Sequence, residues 1–271
     1  MPRIEDGSVV LITGASSGIG RATARLLAAR GYRVFGTSRH PAAPTLDGYE
    51  MVPLEVTSDE SVAECIRTVA DRTGGRIDVL VNNVGTGIVG AAEESSAAQA
   101  ATLFQVNFFG AVRMTNAVLP LMRARKAGRI LNMSSAGGVA SVPYASYYCA
   151  TKHALEGYTA ALRLELEPLG LSAAVIAPGA VSTPAPDKSI RPDRPLDAYA
   201  PASRQASERY SRAIKKGMNP DRVAHTVLNV IRADRPKPRY TVGGQSLVAS
   251  LLRRLLPNGW FEAGVRRVTP R

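Results

Sequence analysis

The chain has 271 residues, 45% hydrophobic and 21% charged, an ordinary globular composition with enough length to bury a sizeable core. Its net charge of +12 is spread along the chain, and only 6% of residues are aromatic, so no basic and aromatic run marks a nucleic-acid surface. Two cysteines (Cys65, Cys149) and three isolated histidines (His40, His153, His225) argue against a disulfide framework and against a metal site.

The order of elements suggests one domain. SVVLIT (8–13) reads as a buried strand and IGRATARLLAARG (19–31) as a helix closed by Gly31. YRVFGTSR (32–39) and YEMVPLEV (49–56) read as strands. SDESVAECIRTVADRTGG (58–75) reads as a helix with Ser58 as N-cap and glycines at its end. IDVLVNN (77–83), GRILNMSS (128–135) and LSAAVIAPG (171–179) are further strands. Between them lie one or two helices over 97–126 and a long helix at about 146–167. Residues 184–217 break this rhythm with a Pro- and Asp-rich stretch that turns helical, which suits either a substrate lid or a surface excursion. A helix over 219–236 follows, with Pro220 in its first turn. The tail at about 246–271 mixes leucines with paired arginines. Such an amphipathic segment can rest on an anionic membrane, but packing on its own domain or walling a substrate entrance is the favoured expectation. There is no signal-peptide pattern and no run of about 20 apolar residues, so a cytoplasmic setting is expected.

Strands alternating with helices imply a parallel sheet covered on both faces, with ligands outside the carboxyl ends of the strands. The loop after the first strand is TGASSGIG, with Gly14, Gly18 and Gly20 leading into the first helix. Bare backbone and a helix N-terminus suit a pyrophosphate; the plain alternative is a tight turn. At the end of the second strand stands Ser38-Arg39 where an acidic residue would hold a ribose 2′-hydroxyl. A guanidinium pairs with a 2′-phosphate instead, with Ser16 in reach, which favours NADP over NAD unless Arg39 points into solvent.

SYYCATK (146–152) places Tyr148 four residues before Lys152 and Tyr147 five before it. Only the former pair shares a helix face. An ammonium beside a phenol lowers its pKa by roughly one to three units, which would make Tyr148 a general acid or base. Ser134 or Ser135, at the end of a strand, could bind a substrate oxygen.

Together these residues resemble the short-chain dehydrogenase/reductase family over about 8–184, through TGASSGIG, DVLVNNVG (78–85), QVNFFG (105–110), ILNMSS, YCATK and APGAVST (177–183). TSRHP and SYYCATKHALEGYTAALRLEL are most similar to members acting on hydroxysteroids, retinoids and other hydrophobic ketones. The resemblance implies a single Rossmann-type doubly wound α/β sheet and an oxidoreductase interconverting a secondary alcohol and a ketone. It implies four catalytic residues: Tyr148 as proton donor or acceptor, Lys152 on the nicotinamide ribose, Ser135 orienting the substrate oxygen, and Asn107 supporting a relay water. It selects Ser135 because the family spaces its serine about thirteen residues before its tyrosine. The cofactor would meet Gly14, Ser16, Ser17, Gly18, Ile19, Gly20, Ser38, Arg39, Glu55, Val56, Asn83, Tyr148, Lys152, Pro178, Gly179, Val181 and Thr183. It also implies a homodimer or homotetramer. Two departures are Glu55, where the family has aspartate, and Val84, where it has alanine. Outside this reading, the glycine loop without the catalytic residues would describe a non-catalytic NADP-binding redox sensor, and the basic tail a peripheral membrane protein.

Overall fold

A computed structural model of the chain describes residues 4–41, 43, 45–185, 187 and 189–268; positions 186 and 188 of the expected lid and 269–271 of the tail lie outside the described residues. The strands β1 (Val9–Ile12), β2 (Arg33–Ser38), β3 (Thr45–Leu46), β4 (Tyr49–Pro53), β5 (Val79–Asn82), β6 (Gly128–Met133), β7 (Leu171–Pro178) and β8 (Arg239–Val242) form one eight-stranded sheet. Its order is β3-β4-β2-β1-β5-β6-β7-β8, and every pairing is parallel except the two-residue edge strand β3 on β4. β3 and β8 were not expected from the sequence. RYTV, between RPKP and Gly243-Gly244, has no apolar run, because an edge strand buries only part of its surface.

The central strands are mainly apolar because both faces are covered, with Asn82, Arg129, Asn132 and Ser172 among the buried polar exceptions. Successive side chains point to opposite faces, so Val10 and Ile12 join one core while Val9 and Leu11 join the other. The first core is closed by α1 (Gly18–Ala28) and α7 (Pro220–Arg232), the second by α2 (Asp59–Thr73), α4 (Gly110–Arg125) and α5 (Ser146–Leu166). As expected, the Ser58 hydroxyl caps α2 by accepting from the Ser61 N–H, and the helix stops at Gly74 in the left-handed region (φ +65°). Arg129 is wholly buried in β6, yet it has a purpose there: its guanidinium donates to the carbonyls of Val230, Ile231 and Ala233, satisfying the end of α7.

The region 97–126 is one helical run with a fault in it. α3 (Ala97–Phe104) passes through a five-residue π-turn (Gln105–Phe109) into α4. Periodicity does not distinguish such a turn from an ordinary helix, but π-turns often mark functional sites. The segment 184–217 contains α6 (Ala200–Lys215), and the tail forms α8 (Gly244–Leu255) and α9 (Asn258–Val268), broken at Pro257. Among the described residues, no helix is long and apolar enough to cross a membrane.

From β1 the chain winds outward through β2 and β4, then returns to β5 on the other side of β1. The crevice above the carboxyl ends of β1 and β5 is therefore the switch point where such sheets take ligands.

Candidate active site

The glycine turn sits on that crevice. Gly14 and Gly18 have φ of +68° and +56°, in the left-handed region that glycine occupies without strain. Gly20 has an ordinary φ, but a Cβ there would lie 2.2 Å from the Gly14 carbonyl oxygen and 2.7 Å from Asn83 Nδ2. The loop after β5 holds the turn in place: Asn83 Nδ2 donates to the carbonyls of Thr13 (2.9 Å) and Gly14 (3.2 Å), while Thr13 Oγ1 accepts from the N–H of Asn83 and Val84. Asn83 is thus a clasp on the turn, a role its motif alone did not disclose. The Val84 side chain reaches within 3.0 Å of where a Gly14 Cβ would stand, so its extra bulk is taken up against bare glycine. The first turn of α1 carries no acidic residue, leaving its positive end unopposed. Ser16 is exposed in the turn, Ser17 stands at the N-cap, Ile19 packs against the first core, and Thr183 lies over Gly18 with its methyl 3.1 Å from the Cβ position.

At the end of β2, Ser38 Oγ is buried without a protein partner and Arg39 is exposed. Among the described residues no carboxylate pairs with Arg39; the nearby Asp47 is held by Arg21 at 2.6 Å. Glu55 turns back on its own chain, where Oε1 accepts from the Thr57 N–H (3.1 Å) and hydroxyl (2.9 Å), and Val56 is buried against Gly110. Gly179 and Pro178 continue β7 beside β8, with Gly179 N–H donating to Val242, and Val181 forms an isolated bridge with Met218. A side-chain-free cradle and an unopposed helix end fit the pyrophosphate of a nicotinamide dinucleotide, and beside β2 stand the orphaned Ser38 hydroxyl and Arg39, which has no carboxylate partner among the described residues.

The second cluster stands across the crevice. Lys152 follows Tyr148 by one turn of α5, and its Nζ lies 5.8 Å from the centre of the Tyr148 ring. Lys152 is 4% exposed and donates to the Met133 carbonyl at 2.9 Å. The Tyr148 ring is flanked by glycines: Cβ atoms at Gly137 and Gly87 would meet it at 3.3 and 3.8 Å. Ser135, at the end of β6, accepts from the Gly137 N–H at 3.2 Å and also acts on the Tyr148 hydroxyl. Ser134 is buried behind it. Tyr147 looks elsewhere, donating to the Ala92 carbonyl at 3.1 Å.

Asn107 lies in the π-turn, and both of its amide donors are used. Nδ2 donates to the Thr86 carbonyl (2.9 Å) and Thr151 Oγ1 (3.1 Å), and Oδ1 accepts from the Thr86 N–H (2.8 Å). It therefore ties the loop after β5 to α5. Gly85 lies between Asn107 Oδ1 and Lys152 Nζ, whose distances from its Cβ position are 3.4 and 3.5 Å. Sequence reasoning missed Thr13, Thr86, Thr151, Gly87 and Gly137. The two glycines follow strand ends, which is the one signal that could have drawn attention to them.

The electrostatics depart from expectation. Burial pushes the Tyr148 phenol up to about 12, and the Ser135 hydroxyl is what pulls it down. Burial also pushes Lys152 down to about 8, with Glu156 opposing. Both groups lose hydration, which disfavours the charged form of each; the lysine nevertheless keeps its proton at neutral pH, and the phenol shows no net depression beside it.

The segment 184–217 is fastened to the loop after β5. Ile190 bridges Ile88 and its N–H donates to Gly87 at 2.8 Å. Buried Glu94 accepts from the Ala91 and Leu196 N–H groups (2.8 and 3.2 Å) and from the Ser203 hydroxyl. α8 lies beside residues 136–138, just after Ser135, and leaves Leu247, Leu251 and Leu255 exposed.

The family described as short chain dehydrogenase matches residues 8–194. The 3-ketodihydrosphingosine reductase of Bacteroides thetaiotaomicron is 35% identical over 242 residues, covering 87% of each chain. Retinol dehydrogenase 8 of Homo sapiens is 36% identical over 257 residues, covering 85% of this chain and 79% of its own. A Burkholderia phymatum short chain dehydrogenase/reductase in complex with NAD superposes with a TM-score of 0.81 at 26% identity, covering 98% of this chain and 97% of its own. ElxO with NADP bound gives 0.73 at 26% identity, covering 89% and 99%. With the glycine turn, the switch-point crevice and the tyrosine and lysine of α5 in place, the chain belongs to the short-chain dehydrogenase/reductase family of oxidoreductases.

Proposed function

We propose that the protein is an NADP-dependent oxidoreductase that interconverts a secondary alcohol and a ketone on a hydrophobic, lipid-like substrate. The observation that carries this reading is the meeting of Ser135, Tyr148 and Lys152 across the crevice from the glycine turn. NADP would be held by the turn and the start of α1, with its 2′-phosphate on Arg39 and Ser38, its adenosine side near Asn83 and Val56, its nicotinamide ribose on Lys152 and its carboxamide near Pro178, Gly179, Val181 and Thr183. When bound it supplies or accepts the hydride.

The protein's own part is geometry and one proton. Ser135 donates a hydrogen bond to the substrate oxygen and fixes the carbonyl against Tyr148. Tyr148 then gives its phenolic proton to that oxygen in reduction, or removes it in oxidation. A phenol pushed up to about 12 carries its proton at neutral pH but gives it up less readily than a free tyrosine, and the Ser135 hydroxyl is the protein group that eases the transfer. Lys152 holds positive charge behind the phenol as the proton leaves, and Asn107 keeps the loop at Gly85 against both.

A hydrophobic substrate is supported by the apolar residues Val139, Ala140 and Val142 beyond Ser135 and by the leucines of α8 at the same edge. The similarity to a bacterial 3-ketodihydrosphingosine reductase and a human retinol dehydrogenase points the same way. The segment 184–217 acts as the lid and α8 as a wall of the substrate entrance. Exposed Phe109 and Leu164, beside and on the helices α4 and α5, suit a homodimer or homotetramer. The test is a panel of ketones of increasing chain length, followed by NADPH absorbance with NADH in parallel. Turnover rising with apolar length and favouring NADPH is the expected result; no turnover of any carbonyl or alcohol with either cofactor refutes the reading.

A further inference from the structure

A cleft of about 420 Å³ lies between the second half of α6, the start of α7 and the turn from β8 into α8. None of Ser135, Tyr148 and Lys152 lines it. Arg209, Arg212, Lys216 and Arg222 do, and among the described residues no carboxylate lines it. Asp221, next to Arg222, is directed instead to Arg25 at 3.7 Å. Bringing like charges to one concavity is unfavourable, and this chain with its +12 charge has ample other surface for them. The rest of the lining includes bare backbone at Gly243 and Gly244, where α8 begins with no acidic residue in its first turn.

Two features select the ligand class. Arg212, Lys216 and Arg222 alone exceed what one carboxylate can balance, so a dianion is favoured. Two of these three are arginines, whose planar fork matches phosphate oxygens in pairs. We propose that this cleft is a phosphate-binding site away from Ser135, Tyr148 and Lys152; of the residues assigned to the cofactor only Gly179 also lines it, and the proposal does not depend on the catalytic reading. Arg212 and Lys216 contribute from α6, Arg222 from α7, so a bound phosphate would join the lid helix to the body of the domain at the β7 loop that carries Gly179. The phosphate could come from a free phosphate or soluble ester, or from a phospholipid headgroup, since the exposed leucines of α8 begin one turn from the cleft.

The test is calorimetric titration of inorganic phosphate into the full chain, at constant ionic strength set with chloride. The Arg212→Ala/Lys216→Ala variant is expected to bind phosphate at least about tenfold more weakly than wild type. Arg204→Ala/Lys215→Ala, which removes two charges from the same helix but outside the cleft, should stay within about twofold. Circular dichroism checks that all three share one fold. A second arm measures co-sedimentation with phosphatidylcholine vesicles with and without phosphatidic acid. Sedimentation that needs both phosphatidic acid and the Arg212/Lys216 pair assigns the phosphate to a headgroup; phosphate binding without sedimentation assigns it to a soluble source. No phosphate binding in either arm, or equal weakening in both double variants, overturns the proposal.

Discussion

Lys152 Nζ donates to the Met133 carbonyl at 2.9 Å while standing 5.8 Å from the centre of the Tyr148 ring. The lysine therefore makes no direct bond to the phenol, and the hydrogen-bonding neighbour of the phenol is Ser135. That arrangement separates the two adjacent tyrosines. Tyr148→Phe should lower kcat by about 10²–10⁴-fold, the usual worth of a positioned acid or base, with dinucleotide affinity unchanged. Tyr147→Phe should keep kcat and cost only about 1 kcal/mol, for one lost bond to the Ala92 carbonyl. Steady-state kinetics and urea unfolding on both variants check this; an active Tyr148→Phe enzyme would remove the phenol from the mechanism.

The buried lysine carries a pH signature. Its folded-state pKa is depressed from 10.5 to about 8, chiefly by burial. Between those values the unfolded chain binds more protons than the fold, so stability rises with pH there; the contribution is present above 10.5 and lost as pH falls through about 8. Against Lys152→Met, whose side chain cannot ionise, the wild type should gain about 3 kcal/mol of unfolding free energy between pH 7 and pH 10.5. Urea titrations of both proteins across that range measure the difference directly, and a flat difference means that Lys152 titrates normally.

The proposed preference for NADP rests on Arg39. It is exposed, without a carboxylate partner among the described residues, next to the orphaned Ser38 hydroxyl. Arg39→Asp should weaken NADPH binding by at least about tenfold, since it replaces a charge-assisted contact with a repulsion, and should improve NADH. Fluorescence titration with both dinucleotides decides it. Equal affinities in the wild type would show that Arg39 reads nothing.

Much of this could be read from the chain itself, for a physical reason. β1, β5, β6 and β7 are buried on both faces, so each appears as a mainly apolar run, unbroken in β1 and interrupted by Arg129 and Asn132 in β6, and the turns after them carry residues that backbone geometry demands, such as Gly14 at φ +68°. What escaped was structure made by distant partners. The two-residue β3 and the edge strand β8 have no pattern of their own. The π-turn at Asn107 keeps a helical periodicity while changing which groups face the crevice. Helix spacing predicts a lowered Tyr148 phenol, whereas burial raises it, because spacing along a helix reports neighbours on that helix and burial comes from Gly87, Gly137 and Ser135 on other segments.

Glu94 is the sharpest case of a residue invisible to pattern, because Leu196 and Ser203, which it binds, lie more than 100 residues away. It is 3% exposed. Burial alone would raise its pKa, yet bonds from Ser203, Ala91 and Leu196 together hold it below the usual carboxylate range. The carboxylate is therefore charged at any pH where the enzyme would work, and it fastens the segment before α6 to the loop that flanks Tyr148. Glu94→Ala should cost about 1–3 kcal/mol by leaving buried N–H groups without an acceptor. It should also raise KM for long apolar ketones while leaving kcat for small ones near wild type. Hydrogen exchange locates the effect: faster exchange at Ile190 and Leu196, with Leu80 and Leu131 in the sheet unchanged, is the signature of a loosened lid. Ser203→Ala should repeat the pattern more weakly. If exchange rises equally in the sheet, Glu94 supports the whole fold and the lid has no latch of its own.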